Sequence, residues 1–153
     1  MASESIRTFD QGSPGRRLSI IHRLSMAYLS GPLSELGIAR GKIPFLMKIL
    51  SCEGIVQEDL STYLCIDRSA TARALQQLED EGLVFREEDR LDRRRKKVYP
   101  TSRAKLLQGE FVAILKAHNE ILFAGFDDEE RRMFMDMLNR VVENLQSEIN
   151  KSS

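Results

Sequence analysis

This chain of 153 residues has two cysteines, two histidines, four prolines and no net charge. Cys52 and Cys65 are too few for a disulfide framework. Neither they nor the distant pair His22 and His118 show the close spacing of a zinc site. No apolar run reaches membrane-spanning length, so no membrane partner is expected. The first residues have no apolar segment followed by a cleavage site, and the expectation is a cytoplasmic protein. There is no GxGxxG or P-loop glycine pattern. No Ser, His and Asp set nominates a nucleophile with its base. Nothing specific therefore supports an enzyme, and neither a cofactor nor a metal is expected.

The balance of 23 Lys+Arg against 23 Asp+Glu at first argues against a nucleic-acid partner. The distribution argues otherwise. Residues 66–105 carry 11 basic against 8 acidic side chains, residues 106–153 carry 5 against 9, and residues 1–65 carry 7 against 6. The basic excess falls on one stretch and the acidic excess on the C-terminal third. An apolar content of 42% is enough for the core of one compact domain.

Asp67–Leu83 in that basic stretch reads as an amphipathic helix. Asp67 suits the N-cap and Gly82 the left-handed position past the C-terminus. Thr71, Ala74, Leu75 and Leu78 recur at helical spacing and should face inward. Arg68, Ser69, Ala70, Ala72, Arg73, Gln76 and Gln77 are the candidate DNA-contacting positions, small early in the helix and able to hydrogen-bond bases or phosphates. A β-hairpin follows from Val84 to Thr101, with strands Val84–Glu87 and Lys97–Tyr99. Its tip carries Asp92, Arg93, Arg94 and Arg95 and runs into Lys96 and Lys97, a cationic ribbon suited to a minor groove. Acids at 87, 88, 89 and 92 should pair partly within the hairpin. A short helix at about Gln57–Leu64 opens with Glu58 and Asp59, which suit a helix N-terminus. Helix, turn, helix and charged hairpin together make a winged helix-turn-helix, a device for reading double-stranded DNA.

The fold class is mainly α with a small β-hairpin wing, flanked by long N- and C-terminal dimerisation helices. Residues 1–15 lack periodicity and are expected to be a mobile tail. A first helix should span 16–36, with apolar Leu18, Ile21, Leu24, Tyr28 and Leu29, bent or interrupted near Gly31-Pro32. A second should run from about Gly41 to Cys52, with Pro44 in its first turn. After the wing a long helix should run from Thr101 or Ser102 to about Ala124. The last should open on Asp127 and Glu130 at capping-box spacing. Phe134, Leu138, Val141, Leu145 and Ile149 form its apolar stripe, and with Leu18 and Ile21 they are the candidate dimer interface. Residues 38–103 would be the DNA-binding lobe, and 16–37 with 104–153 the dimerisation region.

Leu60-Ser61, Leu64, Asp67, Arg73, Leu78, Glu81-Gly82-Leu83-Val84, Arg86, Asp92-Arg93-Arg94 and Thr101, in that order, resemble the MarR family of bacterial transcription regulators. The resemblance implies a homodimer that acts as a repressor on a pseudo-palindromic operator. In that family the wing Arg enters the minor groove and an Asp orients it, roles that fall on Arg94 and Asp92. Helix contacts fall on positions such as Ser69, Ala70 and Arg73. The chain departs from the pattern at Cys65 for a usual Gly, Pro100 for a Leu, Ala104 for a Gly and Val56 for a Ser/Thr cap.

The resemblance also implies a small aromatic or lipophilic effector, for which His22, Met26, Met47, Phe111 and His118 are the candidate pocket. The plainer reading of all five is packing. Cys65 is a candidate redox switch, against the plainer reading of both cysteines as small core residues. A winged-helix module that binds protein and has lost DNA is the alternative from another class.

Overall fold

A computed structural model describes residues 2–151, with the backbone alone for residues 2–5; Met1, Ser152 and Ser153 lie outside the described residues. The chain forms two compact units, one up to Lys116 and one from Ala117.

The first unit opens with α1 (Ala2–Gly12) and α2 (Pro14–Glu35). The stretch expected to be an unperiodic tail is thus helical over Ala2–Gly12. Residues 2–11 hold neither Gly nor Pro, and Ile6 and Phe9 stand one turn apart on an exposed apolar stripe too short to register as periodic. The break before α2 is encoded by Ser13, whose hydroxyl accepts from the Gly15 N–H, and by Pro14 in the first turn. Of the expected bend or interruption near Gly31-Pro32, the interruption does not occur: α2 runs on through both residues. Pro32 removes one backbone donor, and burial of Leu29 and Leu33 on either side holds the segment in the core.

A 3₁₀ turn (Arg40–Lys42) leads into α3 (Ile43–Ser51), then β1 (Ile55–Val56), α4 (Gln57–Leu64) and α5 (Arg68–Asp80). β2 (Val84–Glu88) and β3 (Lys96–Pro100) form the hairpin, followed by α6 (Ser102–Leu122). The hairpin is part of a three-stranded antiparallel sheet in the order β1-β3-β2. The extra strand pairs Ile55 with Val98 and Val56 with Lys97. Gly54 turns the chain into it at φ +79, a conformation that favours glycine, and a Cβ there would stand 3.0 Å from the Tyr99 ring, which would have to shift.

One apolar core joins these elements. Phe45, Leu46 and Ile49 of α3 meet Leu60 of α4, Leu75 and Leu78 of α5, and Val98 of β3. Leu29 and Leu33 of α2 and Ala104 and Phe111 of α6 belong to the same core, so it includes the adjoining parts of the long helices. Ala104, where the resembled family often has Gly, is buried within it.

Inside that core the Ser61 hydroxyl donates to Thr71 Oγ1 at 2.8 Å, joining α4 to α5. The left-handed turn between them falls on Cys65, at φ 54 and ψ 38, a conformation that costs a non-glycine residue about 1–2 kcal/mol. Val56 caps α4 without a side-chain hydrogen bond.

The second unit holds the end of α6 and α7 (Asp128–Lys151). The expected capping box forms: the Asp127 N–H donates to Glu130 Oε2 and the Glu130 N–H to Asp127 Oδ1, at 2.9 and 2.8 Å. Phe123, Phe126 and Phe134 meet edge to face, with Arg131 over Phe123 and paired with Glu120. Past Phe134 the apolar stripe of α7 stays open, with Val141, Leu145 and Ile149 exposed.

The Ser61–Thr71 pair gives a stability test. Ser61→Ala should cost about 1–3 kcal/mol in urea unfolding, because the Thr71 hydroxyl is left buried without its donor. Adding Thr71→Val should recover part of that loss. Purely additive losses would show that the hydroxyls are not coupled.

Candidate nucleic-acid interface

Asp67 starts α5 as its sequence position suggested, its carboxylate accepting from the Ala70 N–H at 2.7 Å. Thr71, Ala74, Leu75 and Leu78 are buried, so the helix is fixed in rotation about its axis. Arg68, Ser69, Arg73, Gln76 and Gln77 are exposed, and Ala70 and Ala72 half-buried. Arg68 lies 3.6 Å from Glu58 of α4. Arg73 makes no ion pair or side-chain hydrogen bond among the described residues.

The wing tip is closed by its own acids. The Asp89 N–H donates to the Arg95 carbonyl, the Arg95 N–H to the Asp92 carbonyl, and the Leu91 N–H to Asp89 Oδ1. Asp89 is buried and pairs with Lys97 at 3.3 Å. The Leu91 N–H, then Lys97, hold its carboxyl below the usual carboxylate range. Asp92 Oδ1 accepts from both the backbone N–H and Nε of Arg94, at 3.1 and 3.3 Å. The Arg94 side chain is nevertheless 92% exposed, oriented at its root and open at its guanidinium. Arg95 reaches back to Asp59 of α4 at 3.6 Å. Arg90 and Arg93 hold no ion pair among the described residues.

A clasp absent from the sequence reading joins wing to helix. Arg86 of β2, 14% exposed, donates to Glu79 Oε2 at 2.6 Å and Gln76 Oε1 at 2.8 Å on α5, and to Gln57 Oε1 at 3.4 Å on α4. The guanidinium is the main cause of a Glu79 carboxyl held below its ordinary value. Gln76 also donates from Nε2 to Asp80 at 3.0 Å. A base contact by Gln76 would need both of these bonds broken. The signal for the clasp was period two in β2: Arg86 shares a face with buried Val84, and an inward arginine needs an inward acid.

The five residues grouped as a ligand pocket stand on α2, α3 and α6. His22 and Met26 line a hollow of ≈ 350 Å³ with Arg23, Arg40 and Gly41. Met47 lines a different one on α3 and α4, beside Tyr63. Phe111 is fully buried in the core, because its helical spacing continues the inward face of α6. His118 belongs to the second unit. The cysteines depart from the plainer expectation of core residues: each sits at a helix C-terminus, Cys52 after α3 and Cys65 after α4, and both are exposed without a disulfide.

A helix-turn-helix whose second helix is braced to a cationic wing defines a winged-helix DNA-binding protein. The model of the MarR family matches residues 42–96. A MarR transcriptional regulator from Methanosarcina mazei Go1 has a TM-score of 0.80 at 41% identity, covering 87% of this chain and 96% of that one. A Listeria monocytogenes MarR-family regulator solved complexed with 26mer DNA has a TM-score of 0.83 at 28% identity, covering 89% and 91%. The HTH-type transcriptional regulator YybA of Bacillus subtilis is 28% identical over 131 residues, 86% of this chain and 87% of that protein. The chain belongs to the MarR family, whose members are transcription regulators and not enzymes. Among the described residues no helix is long and apolar enough to cross a membrane.

The clasp has an acid signature. Because the Glu79 carboxyl is depressed in the folded state, its stabilisation is complete above the unfolded value of about 4.3 and is lost as pH falls through the folded value. Arg86→Ala should therefore lower stability at pH 7 by about 1–3 kcal/mol. It should also flatten the decline of stability below about pH 4. An acid limb as steep as that of the parent would show that Glu79 draws nothing from Arg86.

Proposed function

We propose that this chain is a homodimeric, sequence-specific regulator that represses transcription by occupying a pseudo-palindromic operator, acting in the cytoplasm. The observation that carries this is Arg94, an open guanidinium oriented by Asp92 at the end of a closed hairpin. The exposed face of α5 beside it supplies Arg73 and small residues for the major groove. In this reading α5 enters one major groove per half-site, with centres roughly 10–10.5 bp apart. Arg94 takes the flanking minor groove, and Arg93 and Arg95 meet phosphates. The exposed apolar residues of α7, with Leu18 and Ile21 of α2, supply the surface for a second copy.

Two substitutions separate the parts. Arg94→Ala should weaken duplex binding and lower the salt slope by about one unit, with Arg73→Ala costing about 1–3 kcal/mol on the selected sequence. Leu145→Asp places a charge at a position 61% exposed in the single chain, where it would be harmless. In a dimer the same charge is buried, so sedimentation should show monomers and DNA affinity should fall. A Leu145→Asp protein that stays dimeric, or an unchanged salt slope in Arg94→Ala, would remove the corresponding role.

The hollow beside His22 favours control by a small aromatic acid. Arg23 and Arg40 can meet a carboxylate while Met26 packs on an apolar body. Ligand acts only through differential affinity for the DNA-competent and incompetent states. Added aromatic acids should weaken DNA binding in the parent and not in Arg40→Ala. Unchanged affinity across a panel of such acids would exclude this control.

A further inference from the structure

We infer that Leu91 is an apolar wedge that enters the minor groove beside Arg94 and kinks the duplex at a flexible pyrimidine–purine step. The inference rests on the DNA reading above and deepens it, adding a determinant of sequence preference at positions that α5 does not reach.

Leu91 is 97% exposed, the most exposed large apolar side chain among the described residues. Single exposed leucines are common and need no explanation by themselves. This one differs in how its backbone is held. Its N–H donates to the buried carboxylate of Asp89, which is itself paired with Lys97. The turn around it is closed by the Asp89–Arg95 and Arg95–Asp92 backbone hydrogen bonds. A buried acid is thus used to hold a turn that presents a fully exposed aliphatic side chain. Leu91 takes no part in the core, and its sequence neighbours Arg90 and Asp92 are polar.

The chemistry around Leu91 fits the groove better than it fits water. Arg94, three residues on, is oriented by Asp92 and open to solvent. A cation is drawn to the negative potential of a narrow minor groove, and a branched aliphatic group adds nothing to phosphate contact. Apolar side chains, Leu among them, are inserted by minor-groove proteins between base steps, which they partly unstack. TA and CA/TG steps unstack most readily, so the sequence preference arises from deformability and not from base hydrogen bonds.

The test uses the full chain and a duplex taken from binding-site selection, end-labelled for energy transfer and carrying 2-aminopurine at the step facing the wing. The parent should bend the duplex and raise 2-aminopurine fluorescence. Leu91→Ala should lose most of both signals and bind several-fold more weakly, with the parental salt slope, and Leu91→Met should restore them. Retention of the salt slope separates this loss from that of Arg94→Ala, which removes an ionic contact. The tip buries little, so an unchanged thermal melt serves as the folding control. Parental bending, fluorescence and affinity in Leu91→Ala would overturn the wedge while leaving DNA binding intact. A parent that binds no duplex would overturn the DNA reading and the wedge with it.

Discussion

Arg86 leaves the inner face of β2 and places one guanidinium against Glu79 and Gln76 of α5 and Gln57 of α4. The proposed reading of two grooves at once requires a helix and a hairpin held at a set separation, and in the chain they are joined by the short turn at Glu81–Leu83. Backbone pairing with β1 holds the base of the hairpin, and its angle to α5 is left to side chains. The planar fork of an arginine, with several donors in fixed directions, removes that freedom in a way a lysine would not. Arg95–Asp59 braces the far end of the wing against α4, and the Ser61–Thr71 bond fixes α4 against α5. The relation of Arg73 to Arg94 therefore depends on side-chain chemistry as much as on the apolar core.

In the proposed reading, the same pairs reconcile a chain of zero net charge with a DNA-binding surface. Asp89 is taken up by Lys97, Asp92 by Arg94 and Glu79 by Arg86. Arg73 on α5 and Arg90, Arg93 and Lys96 on the wing are among the cations that hold no ion pair among the described residues. The field that DNA meets is set by charges that have no internal partner, and a sum over the sequence does not count these separately.

What was legible in the sequence was local. α4 falls at Gln57–Leu64, the Asp67 cap and the Asp127–Glu130 box form, and the inward face of α5 is buried residue for residue. These follow from contacts within a few positions. β1 was not legible, because two residues carry no period and their partners, Val98 and Lys97, lie far along the chain. Arg86 was legible as part of a family pattern but not as a clasp, which needs the packing of three elements to appear. Phe111 had two readings, pocket lining and core packing, and its full burial agrees with the helical spacing that put it on an inward face.

Hydroxyl-radical footprinting of the full chain on its selected duplex tests most directly whether helix and wing act as one braced reading head. Radicals report on sugars along the minor groove, where the wings should lie. Two symmetric minor-groove protections flanking the paired major-groove sites are expected, and Arg86→Ala should blur the outer protections while the inner ones persist. Outer protections unchanged in Arg86→Ala, or absent in the parent, would contradict a wing held by Arg86 for minor-groove contact.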